Sequence, residues 1–159
     1  MNETTTPFDL HGAVLRIVPH VFDTMLSLPI LPGTAGDPST GERVSGTIGI
    51  AGETLSGSVY LHFSEPLARR AAAAMLGLDS PEAADTSSVN DVVSELANMI
   101  GGGFKSALCD ANLPCAMSTP SIVRGPAFAI ELPPGLRSEK FSFNCLGERL
   151  AVEVHLKLN

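Results

Sequence analysis

The residues best placed to do chemistry are Glu95 and Asn98, in the stretch SELANMIGGGFKSAL from Ser94 to Leu108. Residues three apart are neighbours on a helical face, so an anion and a carboxamide would stand side by side there. At about 100° per residue, Val92, Val93, Leu96, Ile100, Phe104, Ala107 and Leu108 share one apolar arc with Val89, and Met99 lies at its edge. Asp91, Ser94, Glu95, Asn98, Gly102 and Lys105 share the opposite arc. On spacing alone, a solvated face is the simpler account of such a set.

The glycines Gly101, Gly102 and Gly103 sharpen the question. Each costs a helix about 1 kcal/mol relative to alanine. One reading ends the helix at Ile100, with Gly101 as a left-handed cap. The other keeps the helix whole, because FKSALC resumes the same apolar arc without a phase break. The missing side chains would then leave a flat patch beside Asn98 where another backbone can come close. We favour the unbroken helix, from about Ser88 to Ala111. Ser88-x-x-Asp91 matches a capping box, which would employ Asp91 at the helix start.

Other chemistries find less support. Ser94, Cys109 or Cys115 could act as a nucleophile only beside a base, and no histidine is close in sequence. Cys109 and Cys115 read as small core residues. His11, His20, His62 and His155 are scattered, and none stands at ligand spacing from a cysteine, which argues against a zinc site. Each reads as a surface or half-buried histidine. Three cysteines are too few and too odd for a disulfide framework, which points to a reducing compartment. The net charge of −7 disfavours nucleic acid and suits a basic protein patch or a cation held by a partner. The start, MNETTTPFDLHG, lacks the form of a signal peptide, and no apolar run reaches about 18 residues, so a cytoplasmic, soluble chain is expected.

The surrounding elements follow from periodicity. Leu10 to Ser27 reads as an amphipathic helix in which Pro19 would produce a kink or a late start, and LPILPGTAGDPSTGE after it as loop. RVSGTIGIA and GSVYLHF flank the turn GET and read as a hairpin, with Val59, Leu61 and Phe63 on one face and Ser58, Tyr60 and His62 on the other. SEPLARRAAAAMLG is a short helix capped by Ser64, with Pro66 in its first turn and Gly77 at its end. After the long helix, AMSTPSIVRG can hold a strand and FAIEL another. KFSFNCL and RLAVEVHLKL follow, joined by GE. In the last strand Val152, Val154, Leu156 and Leu158 would be dry, and Glu153, His155 and Lys157 wet. The whole is an α+β pattern, an antiparallel sheet with helices packed on one face. Residues 1–159 read as one domain, with 1–8 a flexible N-terminal tail.

DVVSELANMIGGGFKSAL resembles the central helix of the CheC/CheX/FliY group, and of CheX most closely. That group carries Glu-x-x-Asn within a stretch like E-x-x-N-M-I-x-G, matched here by Glu95, Leu96, Ala97, Asn98, Met99, Ile100 and Gly102. VFDTMLSLPI, IGIAGETLSGSVYLHFSEPLARRAAAAMLG and FSFNCLGERLAVEVHLKL are similar to further parts of the CheX-like domain. The resemblance implies a CheC/CheX-like fold and a phosphatase that acts on the aspartyl phosphate of a CheY-like receiver domain. It implies that Asn98 orients the attacking water and that Glu95 binds the receiver's lysine. Asp91, Ser94, Gly102 and Lys105 would form the partner-binding face around them. No cofactor is implied for this chain; the Mg2+ belongs to the receiver. A homodimer through sheet edges is also expected. The first helix holds no second Glu-x-x-Asn, so the chain looks like a single-site member of CheX type. The alternative is a non-catalytic module of the same fold that docks on a receiver or a flagellar or signalling component.

Overall fold

The computed structural model describes residues 8–33, 41–126, 128, 130, 131 and 133–159. Helix α1 (Leu10–Leu26) begins at Asp9, whose carboxylate accepts from the Gly12 amide at 3.0 Å. It runs through Pro19 without a break and buries Val14, Ile17, Val18, Val21 and Phe22. Of the tail expected over residues 1–8, residues 1–7 lie outside the described residues, and Phe8 is buried in the core.

Within the expected loop, Leu31–Pro32 forms a short strand, β1; residues 34–40 lie outside the described residues. The hairpin is present as β2 (Arg43–Ala51) and β3 (Leu55–Ser64), closed by the Gly52 amide on the Leu55 carbonyl at 2.8 Å. Helix α2 (Glu65–Leu76) starts under the Ser64 hydroxyl and stops at Gly77, whose φ of 66° continues no helix. Helix α3 (Thr86–Asp110) follows. The expected strand after it is split into β4 (Ala116–Met117) and β5 (Ser121–Gly125). The strand expected at FAIEL is not formed at Phe128, Ile130 or Glu131; Ala129 and Leu132 lie outside the described residues. Strands β6 (Arg137–Cys145) and β7 (Glu148–Leu158) close the fold. Their turn is Leu146–Gly147, one residue earlier than expected, with φ of 51° and 82°. Positive φ at both central residues is what a tight hairpin needs.

Among the described residues the strands form one seven-stranded antiparallel sheet in the order β1-β6-β7-β3-β2-β4, with β5 also paired to β2. Val44, Ile48, Val59, Leu61, Phe63, Val152 and Val154 point from the sheet into a core shared with the three helices. The helices pack on that face, as the α+β pattern requires.

The other face departs from expectation. Glu153 and His155 are expected at wet positions and His62 as a surface or half-buried histidine, yet their relative exposures are 3%, 2% and 0%. Ser45 and Arg43 are buried beside them. Ser45 Oγ lies 2.7 Å from His62 Nδ1, and His62 Nε2 lies 3.1 Å from Glu153 Oε1. A carboxylate only accepts, so the His62 Nε2–H donates to Glu153, while Nδ1 and the Ser45 hydroxyl share the other bond. His155 Nε2 meets the second carboxylate oxygen at 3.2 Å, and Lys140 Nζ reaches Oε1 at 3.4 Å. Over this row sits Phe128, with the Arg43 guanidinium 4.2 Å from its ring centroid and Arg43 NH2 bonded to its carbonyl at 2.9 Å. Alternation places polar residues on one face; it does not say whether water or another segment covers them.

Candidate functional site

The site rests on α3, and α3 is one unbroken helix of 25 residues. Gly101, Gly102 and Gly103 are all inside it, so Gly101 is not a cap. Their roles differ. A Cβ built on Gly101 would stand 3.2 Å from Ile48 Cγ2, and one on Gly103 would stand 2.8 Å from Ile17 Cγ2. These two glycines let α3 lie close to β2 and α1. Only Gly102 has open space, with nothing within 4 Å of a built Cβ. The bare patch is therefore one residue wide.

The helix also starts earlier than the capping-box pattern suggests. Its cap is Asp85, whose carboxylate accepts from the Ser88 amide at 2.7 Å. That bond, followed by one from the Ser88 hydroxyl, holds the Asp85 carboxyl below its ordinary pKa of 3.8. Asp91 does not cap the helix; it is exposed in the second turn.

The structure brings the sequence-marked residues onto one outer strip. Asp91, Glu95, Asn98 and Lys105 are exposed, and Ser94 and Gly102 are half-buried. Among the described residues, no hydrogen bond or ion pair engages the side chain of Glu95 or Asn98. Opposite the strip, Val89, Val92, Val93, Leu96, Ala97, Ile100, Phe104 and Leu108 are buried. The first half of α3 is tied to the sheet by Arg124 of β5. Its Nε donates to Asn90 Oδ1 at 2.7 Å and its NH1 meets Glu65 Oε2 at 2.9 Å. Sequence reading passed over Arg124, because its partners lie 34 and 59 residues away.

The remaining candidates separate. Cys109 is exposed, against its reading as a core residue; Cys115 is half-buried and packs against the core, and Cys145 is buried. Burial, and then Cys109 nearby, push the Cys115 thiol above its ordinary pKa. Among the described residues, no three His, Cys, Asp or Glu side chains are grouped to hold a metal ion. No described helix is long and apolar enough to cross a membrane.

Comparison with known proteins gives this arrangement a context. The crystal structure of the chemotaxis protein CheX from Vibrio vulnificus superposes with a TM-score of 0.84 at 26% identity, covering 97% of this chain and all (100%) of that one. A CheC-like superfamily protein from Shewanella sp. PV-4 gives 0.80 at 29% identity, covering 99% of each chain. A CheX–CheY–BeF3–Mg2+ complex from Borrelia burgdorferi shares the fold, with a TM-score of 0.74 at 19% identity, covering 94% of this chain and 99% of that one. No curated protein matches the chain. The architecture is thus that of the CheX/CheC-like chemotaxis proteins. The family model described as chemotaxis phosphatase CheX matches residues 44–144, and the chain belongs to the CheX family.

Proposed function

We propose that this chain hydrolyses the aspartyl phosphate of a CheY-like receiver domain, using Asn98 and Glu95. The observation that carries the proposal is the pair itself, exposed and unpartnered on a rigid, continuous helix beside open Gly102. Hydrolysis of an acyl phosphate needs little covalent help from the catalyst. It needs a water held in line with the phosphorus and charge stabilisation around the phosphoryl oxygens. The Asn98 carboxamide oxygen accepts a hydrogen bond from that water and orients it without being a strong base. Water oxygen bonds to phosphorus, the P–O bond to the receiver's aspartate breaks, and inorganic phosphate leaves. Glu95 binds the receiver's lysine through a charge-assisted hydrogen bond and sets the helix in register. Mg2+ on the receiver offsets phosphoryl charge.

Asp91, Ser94, Gly102 and Lys105 complete the docking face in this reading. A cytoplasmic homodimer formed through sheet edges is part of the same proposal; Val123 on edge strand β5 is 43% exposed.

The test is release of phosphate from a phosphorylated CheY-like receiver with Mg2+. Asn98→Ala is expected to abolish the acceleration and keep measurable binding, whereas Glu95→Ala mainly weakens the complex. Hydrolysis by Asn98→Ala at the parent's rate would show that the water is held by something else. Binding by the parent without acceleration would mark a docking module instead.

A further inference from the structure

A groove of about 680 Å3 runs between α1 and α3 along one flank of the proposed catalytic strip. Met99 and Ser106 line it and follow Asn98 and Lys105 in sequence, so they sit about 100° further round α3. Its floor is apolar, with Ile17 and Val21 from α1. Its α1 wall carries Arg16 and His20, both exposed and one turn apart. Asp110 lines the same groove, yet among the described residues neither the Arg16 nor the His20 side chain enters a hydrogen bond or ion pair. Arg16 and His20 thus keep their donors open beside an apolar floor, a local cationic edge in a chain of net charge −7.

The strip itself is narrow. A specific protein complex buries roughly 800 Å2 on each partner, so a domain seated on Glu95 and Asn98 must spread onto a flank. We infer that the groove is a second docking point for the receiver, taking an apolar side chain on its floor and a neighbouring carboxylate on Arg16 and His20. This rests on the phosphatase reading above. The polarity is complementary to that of the strip: Glu95 takes a cation from the partner, and the groove takes an anion. Receivers that lack an acid beside an apolar residue at that point are poor substrates, which makes the groove a determinant of partner choice.

The test uses the full chain with Arg16→Glu, which reverses the wall charge, and Ser106→Trp, which fills the groove from an exposed position. Each is expected to raise KM for the phosphorylated receiver by about tenfold or more through lost binding. Added salt should weaken the parent's complex more than that of Arg16→Glu, because both keep the Glu95–lysine pair and only the parent adds an attractive pair at Arg16. Asn98→Ala gives the opposite split, loss of hydrolysis with affinity for the receiver retained. Unchanged KM in both groove variants, with Asn98→Ala inactive, overturns the groove and leaves the catalytic reading standing. Should the parent fail to accelerate hydrolysis, the catalytic reading falls, and the groove is judged by affinity for the BeF3-loaded receiver. Equal affinity of the parent and both variants then overturns it.

Discussion

Glu95 and Asn98 stand in solvent with no partner inside the chain, whereas Ser45, His62, Glu153 and His155 are buried and bonded to one another. Both are polar clusters on regular elements, and both carry groups that catalysis commonly employs. Their settings give them opposite uses. Buried polar groups need partners, and the second cluster supplies most of them across β2, β3 and β7, with His155 Nδ1 left unpartnered. An exposed pair on a rigid helix has its valences open to a visitor. The contrast teaches that a serine, a histidine and a carboxylate in line are no evidence of catalysis when the serine is 0% exposed.

The comparison can be broken at either cluster. The largest effect on stability is expected from Glu153→Ala, which leaves two buried imidazoles without their common acceptor. Urea unfolding should show a loss of about 3–5 kcal/mol. A loss under about 1 kcal/mol would mean that the network is held some other way. The same measurement on Asn98→Ala should move by no more than about 0.5 kcal/mol, since nothing in the chain depends on that side chain.

The glycines of α3 give a finer contrast of inside and outside. Gly103→Ala drives a Cβ to 2.8 Å from Ile17 Cγ2 and should destabilise by about 1–3 kcal/mol, less the helical gain of alanine. Gly102→Ala meets open space and should stabilise by up to about 1 kcal/mol, while crowding the proposed docking strip and slowing hydrolysis. Thermal unfolding and phosphate release on the two variants should therefore move in a crossed pattern.

Smaller again is the cap. Asp85→Ala should lower Tm by about 2–4 °C at neutral pH. Because Ser88 lowers the Asp85 pKa in the folded chain, the cap's contribution is present above the ordinary value of 3.8 and is lost as pH falls through the lower folded value. Parent and variant should converge in Tm below that range. The smallest difference is one of rate. Alkylation should proceed in the order Cys109, Cys115, Cys145, because exposure falls in that order and burial raises the latter two thiols.

Local periodicity was enough to define α1, the β2–β3 hairpin, α2 and the course of α3, since each has a strong repeat or a clear cap. It was also enough to turn Glu95 and Asn98 outward, because a helix wheel needs only the spacing along one element. Where that logic failed, the deciding contact was distant. The cap is the exception and was settled locally, Asp85 taking the place of Ser88 three residues upstream. Gly101 and Gly103 look the same as Gly102 in the chain, and only Ile48 and Ile17 distinguish them. His62 and Glu153 are 91 residues apart, and an alternating strand reads alike whether its polar face meets water or a covering segment. Spacing along one element is a property of the chain; what lies across from a side chain is a property of packing, and tertiary structure alone decided which polar residues were spent on the fold and which stayed available.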